Sequence, residues 1–222
     1  MARAGGEPGN PGTPGAQITA LIVDDEYTAR EALRLLLEGP EIRITARCAT
    51  AEECLAAITR EPPQVALVDM RMRGDPYAGV TLIRQIRALS PATACLALTS
   101  SDRRGDLLPL AFYAGARGYY RKGYLLGNEL PGIVKRMAAG AWELDPEMAA
   151  LLQRDADRST KSGQAPVFTP RERDILRRLA SGERPEHIAV AFKEGEPAVQ
   201  MSIRNIIGRA LERRDARVEG ML

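Results

Sequence analysis

The stretch Ala20-Leu21-Ile22-Val23-Asp24-Asp25 decides the fold: four consecutive apolar residues end abruptly in two carboxylates. Three more apolar runs end in polar punctuation. Val65-Ala66-Leu67-Val68 stops at Asp69, Cys95-Leu96-Ala97-Leu98 at Thr99, and Gly118-Tyr119-Tyr120 just before Lys122. Strands buried on both faces read as continuous apolar runs, and helical stretches separate these four, so the pattern predicts a parallel α/β sheet. Open parallel sheets bind ligands beyond the carboxyl ends of their strands. Three carboxylates, one hydroxyl and one ammonium therefore converge there, a set suited to a divalent cation and a phosphoryl group.

Working outward, strands are expected over 18–23, 42–49, 65–68, 94–98 and 118–120, with helices over 28–38, 51–60, 80–89 and 128–139. Ala29, Leu33, Leu36 and Leu37 recur at helical spacing, which places them on one face toward the sheet. These elements make a five-stranded, doubly wound sheet. Pro109 lacks a backbone amide, so the helix within 102–114 should start near Leu107 or kink. Trp142 and Leu144 are expected to pack at the end of this domain.

Composition sets the outer bounds. The 222 residues suffice for two modest domains, and 45% apolar with 27% charged residues is ordinary for a globular protein. A formal charge of +2 is too small for bulk electrostatics to identify a nucleic-acid binder. Cys48, Cys54 and Cys95 are an odd number without metal-ligand spacing and read as reduced core thiols. No apolar run reaches the roughly 18 residues of a membrane span. The expectation is a cytoplasmic protein with no membrane partner and a disordered, Gly/Pro-rich tail over 1–16.

A domain is expected over 17–145 and a linker over 146–166, because 155–166 is polar with no apolar period. A second domain follows over 167–222. Thr169-Pro170-Arg171-Glu172 is a helix start, with Thr as N-cap, Pro at the first position and an acid at the third. Further helices are expected over 185–192 and 197–212. Three short helices with a tight turn between the last two fit a helix-turn-helix. The lone His187 reads as a helix-surface or core-edge residue, since neither a second His nor a nearby Cys completes a metal site.

The acidic pair Asp24-Asp25, Asp69-Met70-Arg71-Met72, Leu98-Thr99-Ser100 and the run Gly115 to Lys122 resemble the receiver domain of two-component response regulators over about 17–139. Thr169 to Arg173, Ile188-Ala189, Val199 and Asn205-Ile206 resemble the LuxR-type output domain of the NarL/FixJ class over about 168–211. The resemblance implies a flavodoxin-like receiver with Asp69 as phosphoacceptor, phosphorylated by a sensor histidine kinase. It implies Mg²⁺ held by Asp24, Asp25, Asp69 and the backbone carbonyl of Arg71, Asp24 acting through water. Thr99 and Lys122 would bind the phosphoryl group, and Tyr119 would be the aromatic switch. A homodimer follows, through a surface formed either by the helices over 28–38 and 128–139 or by the helix within 102–114 and the strand over 118–120. After Asp69 the family usually has Met-Pro and a Gly soon after, whereas Met72 is followed by Arg73-Gly74-Asp75-Pro76-Tyr77-Ala78-Gly79, a loop about two residues longer.

The resemblance further implies a helix that reads promoter DNA with Gln200, Met201, Ser202, Arg204 and Arg209. Its start, Ala198-Val199-Gln200-Met201-Ser202, has Gln where the family typically has Lys, which predicts fewer phosphate contacts and a shallower salt dependence. The expected function is a DNA-binding transcriptional regulator and not an enzyme. A protein-interaction module with a degenerate helix-turn-helix is the alternative. A metal-dependent phosphohydrolase would need a second acid two residues past Asp69, where Arg71 stands.

Overall fold

The computed structural model describes residues 17–100, 107–123, 129–144, 146–161 and 167–219. The expected tail over 1–16, the end of the linker over 162–166, and the chain just before Leu107 lie outside them. The amino-terminal half comprises β1 (Ile18–Val23), α1 (Tyr27–Leu37), β2 (Ile42–Cys48), α2 (Ala51–Arg60), β3 (Val65–Asp69), α3 (Ala78–Leu89), β4 (Ala94–Thr99), α4 (Leu107–Ala114), β5 (Gly118–Arg121) and α5 (Leu130–Ala138). The strands pair in parallel in the order β2-β1-β3-β4-β5, and the apolar runs supply both faces of the sheet. Alternate residues serve opposite layers. Leu21, Val23, Ala66, Val68, Cys95 and Ala97 pack under α2, α3 and α4, while Ala20, Ile22, Val65, Leu67, Leu96 and Leu98 pack against α1 and α5.

The sheet has a sixth strand where five were expected. After α5, Gly140 turns the chain at φ +96°, and β6 (Glu143–Leu144) lies parallel along the free edge of β5, pairing Gly118 with Glu143 and Tyr119 with Leu144. Two residues are too short to announce a strand by alternation. Trp142 and Leu144 do close the end of the domain: the Trp142 ring stacks on Phe112 of α4 with centroids 6.4 Å apart. Pro109 sits in the first turn of α4, where its missing amide costs little. The three cysteines are buried and unbridged.

The stretch expected as linker instead carries α6 (Pro146–Lys161). Its buried residues Met148 and Ala149 and half-buried Leu152 lie within its first two turns and join the core, so its polar second half hides the period. Three helices follow: α7 (Pro170–Ala180), α8 (Pro185–Phe192) and α9 (Glu196–Glu219). The helix-start signature of α7 forms a full capping box, Thr169 receiving the Glu172 amide at 3.2 Å and Glu172 receiving the Thr169 amide at 2.8 Å. Lys193 ends α8 in the left-handed region at φ +55°, and Arg171 and Arg178 flank the Phe192 ring at 5.6 and 5.5 Å. Ile175, Leu176, Leu179, Ile188, Val199, Ile203 and Ile206 fill the space between the three helices. His187 is exposed on α8. Among the described residues no helix is long and apolar enough to cross a membrane.

Candidate functional site

The strand order reverses direction between β1 and β3, and both strands end in acid at that point. Asp24, Asp25 and Asp69 each offer a carboxylate oxygen, all within 4.8 Å of one another. Asp24 is buried and anchored on every side: its amide donates to Cys48 at 3.1 Å, its Oδ1 accepts from the Glu26 amide at 3.0 Å, and Arg30 donates to its carbonyl. Lys122 follows β5 and reaches across the strand ends. Its Nζ lies 2.5 Å from Asp24 Oδ2 and 2.9 Å from Asp69 Oδ1. Asp25 is exposed, and its Oδ2 accepts from the Arg73 backbone amide at 2.6 Å.

Burial pushes the Asp69 carboxyl up to about 6, outweighing the attraction of Lys122, and the charges of Asp24 and Asp25 add to the rise. Burial alone would depress the Lys122 ammonium. The hydrogen bonds and charges of Asp24 and Asp69 outweigh it and hold Lys122 above its ordinary value. Thr99 closes β4 one residue past Leu98, the register partner of Asp69. Its hydroxyl is buried and finds no hydrogen-bond partner among the described residues. A buried orphan donor at a strand end next to the one that carries Asp69 is a costly arrangement unless a ligand completes it. Three oxygen ligands, an ammonium and an orphan hydroxyl suit Mg²⁺ with a phosphoryl group.

Tyr119 is already buried on the α4 side of β5, whereas Tyr120 faces the α5 side. Arg71 is exposed, its guanidinium donating to Ser100 Oγ at 3.3 Å. Two contributors escaped the sequence reading. Gly79 packs α3 onto the end of β3 so closely that a Cβ there would stand 2.4 Å from the Asp69 carbonyl oxygen. Its place among several loop residues gave no warning of that approach. Arg73 acts through its backbone amide, which no side-chain motif can announce.

The residues expected to contact DNA do not share one open face. Met201, Arg204 and Asn205 are exposed on α9. Ser202 is buried, its hydroxyl donating to the Ala198 carbonyl at 3.0 Å. Arg209 pairs with Glu172 at 2.6 Å. Gln200 turns to the amino-terminal half, its Oε1 accepting from the Trp142 amide at 3.0 Å while its buried Nε2 has no partner among the described residues. Glu194, in the turn before α9, pairs with Arg171.

The two halves also meet beside α5. Arg184 pairs with Glu129 at 2.8 Å, and a cavity of about 170 Å³ lies between Tyr120, Arg136 and Glu143 on one side and Leu179, Arg184 and Ile203 on the other. Glu143, although buried, accepts from Arg136 Nε at 2.6 Å and from the Tyr120 hydroxyl at 3.1 Å. Burial works against the Arg136 charge, but Glu143 outweighs it, and Glu186 of α8 contributes from the other half, so Arg136 stays above its ordinary value.

Residues 20–128 match the response regulator receiver domain family. The DNA-binding transcriptional activator DevR/DosR of Mycobacterium tuberculosis is 30% identical over 201 residues, 89% of this chain and 90% of that protein. The nitrate/nitrite response regulator protein homolog of Haemophilus influenzae is 28% identical over 192 residues, 86% of this chain and 89% of its own length. The crystal structure of a LuxR-family two-component response regulator from Aurantimonas sp. SI85-9A1 superposes with a TM-score of 0.53 at 27% identity, covering 61% of this chain and 94% of that one. With the two sequence relatives running through both halves, and with the acidic strand ends, Lys122 and the capped helix-turn-helix in place, the chain belongs to the two-component response regulators of the NarL class.

Proposed function

We propose that this chain is a phosphorylation-controlled, DNA-binding transcriptional regulator, and that Asp69 is its phosphoacceptor. The observation that carries the reading is Lys122 bridging Asp24 and Asp69 beside an orphan Thr99 hydroxyl. A sensor histidine kinase is the donor: an Asp69 carboxylate oxygen forms a bond to phosphorus as the phosphorus–nitrogen bond of phosphohistidine breaks and the imidazole leaves with its electron pair. Asp24, Asp25, Asp69 and the Arg71 carbonyl are the proposed Mg²⁺ ligands, and the cation supplies charge neutralisation to the phosphoryl oxygens. Lys122 places a positive charge, and Thr99 a hydroxyl donor, where negative charge develops. Tyr119 is the proposed switch residue. With its carboxyl near 6, Asp69 is largely ionised at neutral pH and already paired with Lys122.

DNA as the target is supported by the relative named as a DNA-binding activator. The contact of Gln200 with Trp142 supports a resting state in which α9 is docked on the receiver, so that phosphorylation releases it and permits a homodimer on promoter DNA in the cytoplasm. Domain limits near 145 and 167, with α6 as a helical connector, fit that release.

The test uses a labelled small acyl phosphate with Mg²⁺, followed by a mobility shift on random DNA pools. Wild type should take up label and gain DNA binding on phosphorylation, and Asp69→Asn should do neither. Labelling of Asp69→Asn at the wild-type rate would exclude Asp69. Absence of DNA binding in labelled wild type would remove DNA as the target.

A further inference from the structure

The loop between β3 and α3, longer than is usual for the family, folds into a turn of defined geometry. Met72 and Asp75 pair as a short antiparallel bridge, the Asp75 amide donating to Met72 at 2.9 Å and the Met72 amide to Asp75 at 3.3 Å. Between them Arg73 and Gly74 both take positive φ, +51° and +78°, as a mirror-image two-residue turn requires. Both feet of the turn are fixed. Met72 is buried in the core, and Asp75 Oδ1 accepts from the Tyr77 amide at 2.8 Å on the way into α3.

This turn delivers the Arg73 amide to Asp25 Oδ2 at 2.6 Å. Lys122 meets Asp24 and Asp69, so the amide gives Asp25 a donor of its own. A carboxylate has two oxygens and about four lone-pair sites, so one N–H donor leaves most of its acceptor capacity for a cation. Hydrogen bonds behind a ligating carboxylate orient it before the metal arrives and set the affinity.

We propose that the Met72–Asp75 turn is a positioning device for Asp25, in which the backbone amide of Arg73 fixes this carboxylate for cation binding and sets the Mg²⁺ affinity of the site. The inference rests on the phosphoacceptor reading above. The Arg73 side chain is not required. Its guanidinium lies in the field of Glu52, whose carboxyl is held below its ordinary range first by its own backbone amide, then by Thr50, and last by Arg73.

The experiment is calorimetric titration of Mg²⁺ into the unphosphorylated full-length protein. Arg73→Gly keeps the amide and suits the positive φ, so its Mg²⁺ affinity should stay within about twofold of wild type. Gly74→Pro imposes a negative φ and destroys the turn, and should weaken Mg²⁺ binding roughly tenfold. Excision of Arg73 and Gly74 together should weaken it to a similar extent, and thermal melts establish that both variants are folded. Wild-type affinity in both turn-breaking variants overturns the proposal. An equal loss in Arg73→Gly also overturns it by assigning the effect to the side chain. Asp25→Asn and Asp69→Asn separate the two levels. If neither weakens Mg²⁺ binding, the phosphoacceptor reading fails and the proposal falls with it. If both weaken it while the turn variants do not, only the proposal fails.

Discussion

Gln200 Oε1 on α9 accepts a hydrogen bond from the Trp142 backbone amide at 3.0 Å, joining the helix expected to read DNA to the residue just before the strand that edges the receiver sheet. Gln200→Ala removes the acceptor and leaves that amide unpaired, so docking should weaken by about 1 kcal/mol. Gln200→Lys should weaken it further, since an ammonium replaces the acceptor in a partly buried contact. Hydrogen exchange of α9 in the unphosphorylated protein should therefore quicken in the order wild type, Gln200→Ala, Gln200→Lys. Unchanged exchange in both variants would show that this contact does not hold the helix. The substitution expected from sequence to steepen the salt dependence of DNA binding thus has a second effect, on release, that only the structure shows.

The receiver was legible because its chemistry sits on the sheet. Each of Asp24, Asp69 and Thr99 ends a continuously apolar strand, so its position was fixed by the end of a run. What escaped was whatever a run does not encode. β6 is two residues long, and its partner is the edge of β5. The apolar stripe of α6 is confined to its amino-terminal turns. The Arg73 amide and the missing Cβ of Gly79 act through backbone geometry. On α9, spacing identified the helix, but which face meets the receiver depends on tertiary packing, and there Gln200 and Ser202 departed from the expected DNA surface.

Thr99 offers a sharp separation of stability from signalling. Its hydroxyl is buried without a partner among the described residues, so Thr99→Val removes an unsatisfied group while keeping the shape. The unphosphorylated variant should be as stable as wild type or up to about 1 kcal/mol more stable by urea denaturation. Label uptake at Asp69 should persist, while phosphorylation no longer speeds exchange in α9. A destabilisation of about 2 kcal/mol or more would mean that the hydroxyl is already engaged.

The Asp69 carboxyl titrates near 6 because burial disfavours its charge, against an ordinary value of 3.8. The folded value is the higher one. Its favourable contribution is therefore fully present below about pH 4 and is lost as pH rises through about 6. The difference of about two units corresponds to roughly 3 kcal/mol, to order of magnitude. Asp69→Asn has no such charge, so without metal its stability advantage over wild type should grow between pH 4.5 and 7. Mg²⁺ at pH 7 should reduce that advantage. An advantage independent of pH would rule out burial of the Asp69 charge as its source.

Glu143 tests whether β6 ties the sheet to the output helices. Its carboxylate is only 2% exposed and is held by Arg136 at 2.6 and 3.1 Å and by the Tyr120 hydroxyl at 3.1 Å. Deleting Glu143 strands Arg136, whose side chain is 24% exposed, so the cost falls toward the lower end of the range for a fully buried pair, about 3–5 kcal/mol, and Glu143→Ala should still be among the more damaging single changes in the receiver. Tyr120→Phe should cost about 1 kcal/mol in wild type and less once Glu143 is gone, because that carboxylate accepts from its hydroxyl. Trp142 and Leu144 flank Glu143 and touch α9 and the shared core, so loss of Glu143 should also quicken exchange in α9 without phosphorylation. Urea denaturation of the two single variants and the double variant checks the energies, and exchange checks the release. Equal costs for Tyr120→Phe with and without Glu143 would show that the hydroxyl and the carboxylate act independently, and unchanged exchange in α9 on loss of Glu143 would show that β6 does not tie the sheet to that helix.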